Sequence, residues 1–221
     1  MAYKNYLFDL DGTLTDPAEG ITNSLMHAQR GLGMPVSARE ALFCFIGPPL
    51  IPMFKSEWGL DDAKANEALL YYREYFSTKG LYENEVYPGI ETMLRHLKEA
   101  GARVYVASSK PEPFCEKILE HFSLLPYFNG VAGSLLNETR TKKEEVIEYA
   151  LAHYGLDKTE TLMIGDRKHD VQGAKINGLS CAGVLFGYGS EQELKEAGAV
   201  ALLASPEELD RFLLENLRKQ A

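Results

Sequence analysis

The 221-residue sequence predicts an α/β protein with a Rossmann-like parallel sheet core and an inserted all-helical cap domain. Three observations carry that expectation. Short apolar runs alternate with longer helix-like stretches, as in parallel strands joined by crossover helices. Residues 16–84 break the alternation and contain no convincing strand. The composition, 45% hydrophobic and 25% charged, is that of an ordinary globular chain and gives no sign of disorder.

Apolar runs over residues 6–8, 103–107, 130–132, 161–164 and 181–186 read as strands, and 199–203 as a weaker sixth. Amphipathic helices are expected over 90–100 and 143–154. Gly101 and Gly155 stand where a helix end favours a left-handed residue. Residues 206–219 read as a closing helix. Within the insertion, helices are expected over 19–30, 48–58 and 61–78, punctuated by Pro17, Gly31, Gly33, Pro35, Gly47-Pro48-Pro49, Gly59 and Gly80. The expected organisation is therefore a discontinuous core, 1–15 and 85–221, with a cap over 16–84. A chain of this length can fill a core domain with a smaller companion.

Charge and cysteine content narrow the function classes. The net charge is -9 and the pI about 5.1, with the acid spread along the chain. A nucleic-acid polymer or an anionic membrane surface needs a basic footprint, so neither is expected as a partner. A small anionic metabolite stays possible, because a metal ion and a few cations can reverse the sign of one pocket. Cys44, Cys115 and Cys181 form no CxxC pair and no zinc spacing, and are expected as reduced thiols packed like small hydrophobes. The N-terminus has no secretory apolar region and no segment approaches about 18 consecutive apolar residues. The expectation is a cytoplasmic protein, monomeric or weakly dimeric.

The chemistry lies at the strand ends. After residues 6–8 comes Asp9-Leu10-Asp11-Gly12-Thr13; after 103–107 come Ser108, Ser109 and Lys110; after 161–164 comes Gly165-Asp166-Arg167-Lys168-His169-Asp170. In a parallel sheet these points share one edge, where ligands bind. Clustered carboxylates repel unless a cation or a shared proton joins them. Oxygen ligands without His or Cys point to a hard ion, Mg²⁺ first. Mg²⁺ beside a carboxylate, a hydroxyl and a lysine makes a phosphate site in which the carboxylate can attack phosphorus.

The run Asp9-Leu10-Asp11-Gly12-Thr13-Leu14-Thr15-Asp16 resembles the signature motif of the haloacid dehalogenase-like hydrolase superfamily. The later family motifs follow in order as Ser108, Lys143 and residues 165–170, and the helical block resembles the phosphoglycolate phosphatase type of cap. The resemblance spans essentially the whole chain. It implies a Mg²⁺-dependent phosphatase acting on small phosphate monoesters, of the phosphoglycolate or nucleoside monophosphate type. By that resemblance Asp9 is the nucleophile that becomes an aspartyl phosphate. Asp11 protonates the leaving oxygen and then activates water. The Asp9 carboxylate, the Asp11 carbonyl and Asp166 hold the metal, with Asp170 ligating or orienting. Ser108 and Lys143 contact the phosphoryl group. Gly12 lets the loop turn closely, and amides there, with Thr13, meet phosphate oxygens.

Some assignments stay open on the sequence. Ser109 competes with Ser108, or caps the helix after Lys110-Pro111. Lys142 competes with Lys143, which fits the family's helix start better. Lys110 reads as a surface or pocket-rim charge, His169 as a solvated loop histidine, and His27, His96, His121 and His153 show no partner pattern. Gly47, in the turn 45–50 of the cap, is a candidate for substrate selection. An acid at position 11 argues against a dehalogenase. A sugar-phosphate mutase shares every motif, and a phospho-acceptor module or a non-catalytic relative remain as further alternatives.

Overall fold

The computed structural model describes residues 3–218. In chain order these form β1 (Asn5–Phe8), β2 (Thr15–Asp16), α1 (Ala18–Gly31), a 3₁₀ segment (Arg39–Phe45), α2 (Leu50–Trp58) and α3 (Asp62–Tyr75). A π turn (Phe76–Gly80) leads to β3 (Glu85–Val86), α4 (Ile90–Glu99), β4 (Arg103–Pro111), α5 (Glu112–His121) and β5 (Gly130–Ser134). There follow α6 (Lys143–His153), β6 (Thr161–Gly165), α7 (Lys168–Ile176), β7 (Ser180–Val184), α8 (Glu191–Ala197), β8 (Ala201–Leu203) and α9 (Pro206–Arg218). Position 219, the expected end of the closing helix, lies outside the described residues. The chain divides into two units, one from Met1–Asp16 and Val86–Ala221, the other Pro17–Glu85.

The first unit is built on a six-stranded parallel sheet in the order β5-β4-β1-β6-β7-β8, the α/β Rossmann-like architecture the alternation predicts. β1 is central because Tyr6, Leu7 and Phe8 are apolar on both faces, and all three are fully buried. Their side chains alternate between the two layers. Leu7 joins Val146, Ile147 and Ala150 of α6 and Val171 and Ala174 of α7 in one core cluster. Tyr6 points the other way, its hydroxyl donating 2.9 Å to the Leu213 carbonyl of α9. α9 also meets α4 through His96 Nδ1, 2.7 Å from Asp210 Oδ2. His96 therefore has a partner, 114 residues away, that no local pattern could reveal.

Of the strand ends that differ from the sequence expectation, two matter for the site. β4 runs on past 107 to Pro111, with its register against β5 broken between Ala107 and Pro111. β7 stops at Val184 rather than 186, because the following turn folds back to Asp166.

The second unit consists of helices, with α1 packed along α3. Leu25, Phe54, Leu69, Tyr72 and Phe76 form its buried interior, and Trp58 stacks on Phe54 at 4.7 Å between centroids. α2 begins two residues later than expected, since Pro49 is extended (ψ 134°) and occupies the N-cap. Asp61 caps α3 by accepting from Lys64 N–H at 2.8 Å. Cys115 and Cys181 are buried as expected, but Cys44 is exposed on the 3₁₀ segment, which presents Leu42 and Phe45 inward instead. Among the described residues no helix is long and apolar enough to cross a membrane.

Candidate active site

β1 ends in a tight turn that presents Asp9. Its backbone N–H still pairs with the Ile164 carbonyl at 2.9 Å, and the chain then curls so that Leu14 and Thr15 N–H both reach the Leu10 carbonyl. Asp9 Oδ1 accepts from Leu10 N–H at 2.8 Å, which fixes the side chain at the sheet's carboxyl edge. β6 delivers Asp166 beside it, and the first turn of α7 delivers Asp170. Oxygens of Asp9, Asp166 and Asp170 lie within 4.8 Å of one another, and all three residues are buried.

Lys143, at the start of α6, answers this charge. Its Nζ stands 2.9 Å from Asp9 Oδ1 and 2.8 Å from Asp170 Oδ1, and donates 3.0 Å to the Ala107 carbonyl. Burial pushes the Lys143 ammonium toward deprotonation, but Asp170 and Asp9 outweigh it and raise its pKa. Lys142, its neighbour, is exposed at the helix N-cap. One buried ammonium among three carboxylates leaves excess negative charge. Burial, reinforced by Asp170 and Asp9, drives the Asp166 carboxyl well above the usual range. Asp170 is raised to about 6, chiefly by burial, with Lys143 opposing.

This group fits a hard divalent cation. The donors are all oxygens, and Asp166 Oδ1 is buried with no hydrogen-bond partner among the described residues. Asp166 Oδ2 accepts from Tyr188 N–H at 2.8 Å. Asp170 Oδ2 accepts from Arg167 N–H at 3.0 Å and Oδ1 faces Lys143. Among the described residues Asp170 Oδ1, like Asp166 Oδ1, is buried without a hydrogen bond of good geometry, so its place in the group is compatible with ligating as well as orienting.

Asp166 is wedged between two glycines. Gly12 takes φ +79°, and a Cβ there would come 2.3 Å from an Asp166 carboxylate oxygen. A Cβ at Gly187 would lie 2.2 Å from the Gly12 carbonyl and 2.5 Å from Asp166 Cβ. Such distances exclude any larger residue without displacing the cluster. Gly12 N–H donates to Thr15 O at 2.8 Å and Thr13 N–H to Leu10 O at 3.3 Å. These amides are engaged inside the turn, so Gly12 serves the site through space rather than by the free amide expected. Thr13 is fully buried, its hydroxyl without a hydrogen-bond partner among the described residues.

Asp11 stands apart from the three-carboxylate group. Both its oxygens meet Lys110 Nζ, at 2.5 and 2.7 Å, and both side chains are buried. Lys110 is thus not a surface charge: the extension of β4 carries it inward. Burial raises the Asp11 carboxyl above its ordinary range even though Lys110 opposes the shift. Ser108 is buried at the same strand end, its Oγ accepting from Lys110 N–H at 3.3 Å. Ser109 is half-buried and caps nothing, since Pro111 holds the N-cap of α5 with no side-chain bond.

Gly47 belongs to the second unit, between the 3₁₀ segment and α2, at φ +102°. His169 sits in the first turn of α7 rather than in a loop, and burial, then Arg167, lowers its pKa. The sequence reading missed Tyr188 as a site residue. Besides holding Asp166, its hydroxyl hydrogen-bonds Asp16 Oδ1, and the signal available was the Gly187-Tyr188-Gly189 turn following a strand.

A model of the family described as haloacid dehalogenase-like hydrolase matches residues 6–184. A 5'-nucleotidase of Pseudomonas aeruginosa is 49% identical over 195 residues, covering 88% of each chain. The tyrosine-protein kinase PtkA of Mycobacterium tuberculosis is 39% identical over 183 residues, 83% of this chain but 62% of the kinase, so this chain spans under two thirds of that relative. A phosphoglycolate phosphatase of Pseudomonas syringae is 26% identical over 87% of this chain and 73% of the relative. Among solved structures, a predicted phosphatase from Clostridium acetobutylicum superposes with a TM-score of 0.95 at 45% identity, covering 97% of this chain and 100% of the other.

Proposed function

The chain belongs to the haloacid dehalogenase-like hydrolases, and on that premise we propose that this phosphatase hydrolyses small phosphate monoesters through an aspartyl phosphate on Asp9, with Mg²⁺ bound. The observation that carries the proposal is Asp9 fixed at the centre of the sheet edge, with Lys143 on one oxygen and Asp166 and Asp170 beside it. Asp9 attacks phosphorus and the ester P–O bond breaks, while Asp11 gives its proton to the departing oxygen. The Asp11 carboxylate then takes a proton from water as that water attacks phosphorus and releases Asp9. Burial raises the Asp11 carboxyl above its ordinary range, which favours a group that must first give and then take a proton. Lys143 offsets charge on the phosphoryl group and Asp9, and Ser108 offers a hydroxyl donor at the same edge. Asp9 and Asp166 would hold the cation with the Asp11 carbonyl, oriented by Asp170, and the bound ion supplies neutralisation of phosphoryl charge. The first candidate substrate is a nucleoside 5'-monophosphate, supported by the 49% identity to a 5'-nucleotidase against 26% to a phosphoglycolate phosphatase.

The test is steady-state hydrolysis of a panel of nucleoside monophosphates, phosphoglycolate and sugar phosphates, with rapid quenching to trap phosphoenzyme. Asp11→Asn is expected to lose about 10²-fold or more in kcat. With p-nitrophenyl phosphate, whose departure needs little acid help, the acid-trapped phosphoenzyme should rise, because hydrolysis of the intermediate is slowed more than its formation. A protein that never accumulates phosphate on Asp9 under any of these conditions has water, not Asp9, as its nucleophile.

Metal binding has its own readout. Asp170, raised from 3.8 to about 6, and Asp166, also raised, hold protons more tightly folded than unfolded. The Asp170 contribution to stability is therefore present below about pH 4 and lost as pH rises through about 6, and that of Asp166 is lost in the same direction. Mg²⁺ displaces those protons, so its stabilisation grows over the same interval. Saturating Mg²⁺ is expected to raise Tm by roughly 5–10 °C at pH 7.5, and by much less at pH 5. An equal shift at both pH values, or none, would show that the cluster is not the binding site.

A further inference from the structure

We infer that Lys110 is a positioning residue for the hydrolysis: it holds the Asp11 carboxylate apart from the Asp9, Asp166 and Asp170 cluster and aims it at the leaving oxygen. The inference rests on the role of Asp11 proposed above. Lys110 Nζ contacts both Asp11 oxygens, at 2.5 and 2.7 Å, and the two side chains are only 6% and 10% exposed. Asp11 is two residues from Asp9, yet the group of mutually close carboxylates leaves it out. The two buried lysines divide the acids: Lys143 takes Asp9 and Asp170, and Lys110 takes Asp11.

The backbone explains how Lys110 comes to be there. Beyond Ala107 the register of β4 against β5 breaks, and within that irregular stretch Lys110 reaches Asp11, just past the end of β1. That conformation is held on three sides. Lys110 N–H donates to Ser108 Oγ, the Cys115 thiol donates to the Lys110 carbonyl at 3.6 Å, and the β5 backbone at Gly133 approaches so closely that a Cβ would lie 2.7 Å from that carbonyl. A fixed backbone and an ammonium on both oxygens together restrict rotation of the Asp11 carboxylate. Without the lysine, an ionised Asp11 has two favourable destinations, the cation's donor set and bulk water, and neither leaves it on the proton-transfer path.

The test compares wild type, Lys110→Met, Lys110→Arg, Asp11→Asn and the double variant Asp11→Asn with Lys110→Met, in Mg²⁺. The substrates are phenyl phosphate and p-nitrophenyl phosphate, similar in shape but different in leaving ability. Lys110→Met is expected to lower kcat about 10–100-fold on phenyl phosphate and distinctly less on p-nitrophenyl phosphate, with KM within about 3-fold. Lys110→Arg should recover part of the loss, and the double variant should fall within about 3-fold of Asp11→Asn alone. Removing the ammonium strands a buried carboxylate. Should Lys110→Met not fold, Lys110→Gln, whose amide keeps one donor, replaces it in the same comparison. Multiplicative losses in the double variant, or one equal loss on both esters without recovery by Arg, would overturn the inference. So would wild-type rates in Lys110→Met beside a crippled Asp11→Asn, and that result leaves the proposed reaction standing. Wild-type rates in Asp11→Asn would instead remove the proposed reaction, and the role of Lys110 with it.

Discussion

Asp9→Asn is expected to lower kcat/KM by about 10⁴-fold or more on every monoester, with the fold intact. The amide matches the carboxylate in size, so packing beneath Asp9, which is 3% exposed, is undisturbed. The change removes three things together: the attacking oxygen, one charge facing the cation, and the ionic contact of Lys143 at 2.9 Å. Leu10 N–H still finds an acceptor in the amide oxygen, so the turn itself should hold. Circular dichroism and Tm separate misfolding from lost chemistry, and Tm without metal should if anything rise, because the carboxylate cluster becomes less negative. Chelation of the cation should silence wild type to a similar degree. Full activity in Asp9→Asn or in EDTA would mean that this edge of the sheet does not perform the reaction.

The sheet was legible in the sequence because each strand is a short apolar run ending in a polar turn, and a parallel sheet brings those turns to one edge. That logic gathers Asp9, Asp11, Asp166 and Asp170 at one edge; the structure groups the carboxylates of Asp9, Asp166 and Asp170 and pairs that of Asp11 with Lys110 instead. What the sequence hid are contacts set by backbone irregularity and distance. Lys110 reads as a rim charge unless β4 is known to continue past Ala107 and lose register. Tyr188 lies in the distinctive run 186–189, but its bond to Asp166 shows only once the turn after Val184 is known to fold back. His96 finds Asp210 because α4 and α9 pack against each other. Amides 12 and 13 looked available for phosphate because motif residues carry no record of their hydrogen bonds, and those bonds go to Thr15 and Leu10. Cys44 was expected inside on residue type alone, yet the 3₁₀ segment turns its neighbours inward instead.

Lys143→Ala and Lys142→Ala, adjacent in sequence, are expected to differ by about two to three orders of magnitude in kcat/KM. Lys143 is 4% exposed and lies between Asp9 and Asp170. Its loss leaves the phosphoryl dianion and Asp9 less neutralised as charge develops, an effect of about 10²–10³-fold for a preorganised donor. It also strands two buried carboxylates, which costs about 3–5 kcal/mol of stability when one partner of a buried pair is removed. Lys142 is exposed, so its replacement should stay within about 0.5 kcal/mol and about 2-fold of wild type. Mg²⁺ gives an internal control. The cation would neutralise the same carboxylates, so adding it should return part of the lost Tm in Lys143→Ala, while the rate measured at saturating Mg²⁺ stays low, because in the proposed reaction the ammonium also offsets phosphoryl charge. Wild-type rates in Lys143→Ala at saturating Mg²⁺ would reduce Lys143 to a structural counter-ion. A steep loss in Lys142→Ala with a mild one in Lys143→Ala would place the phosphate-site lysine one residue earlier.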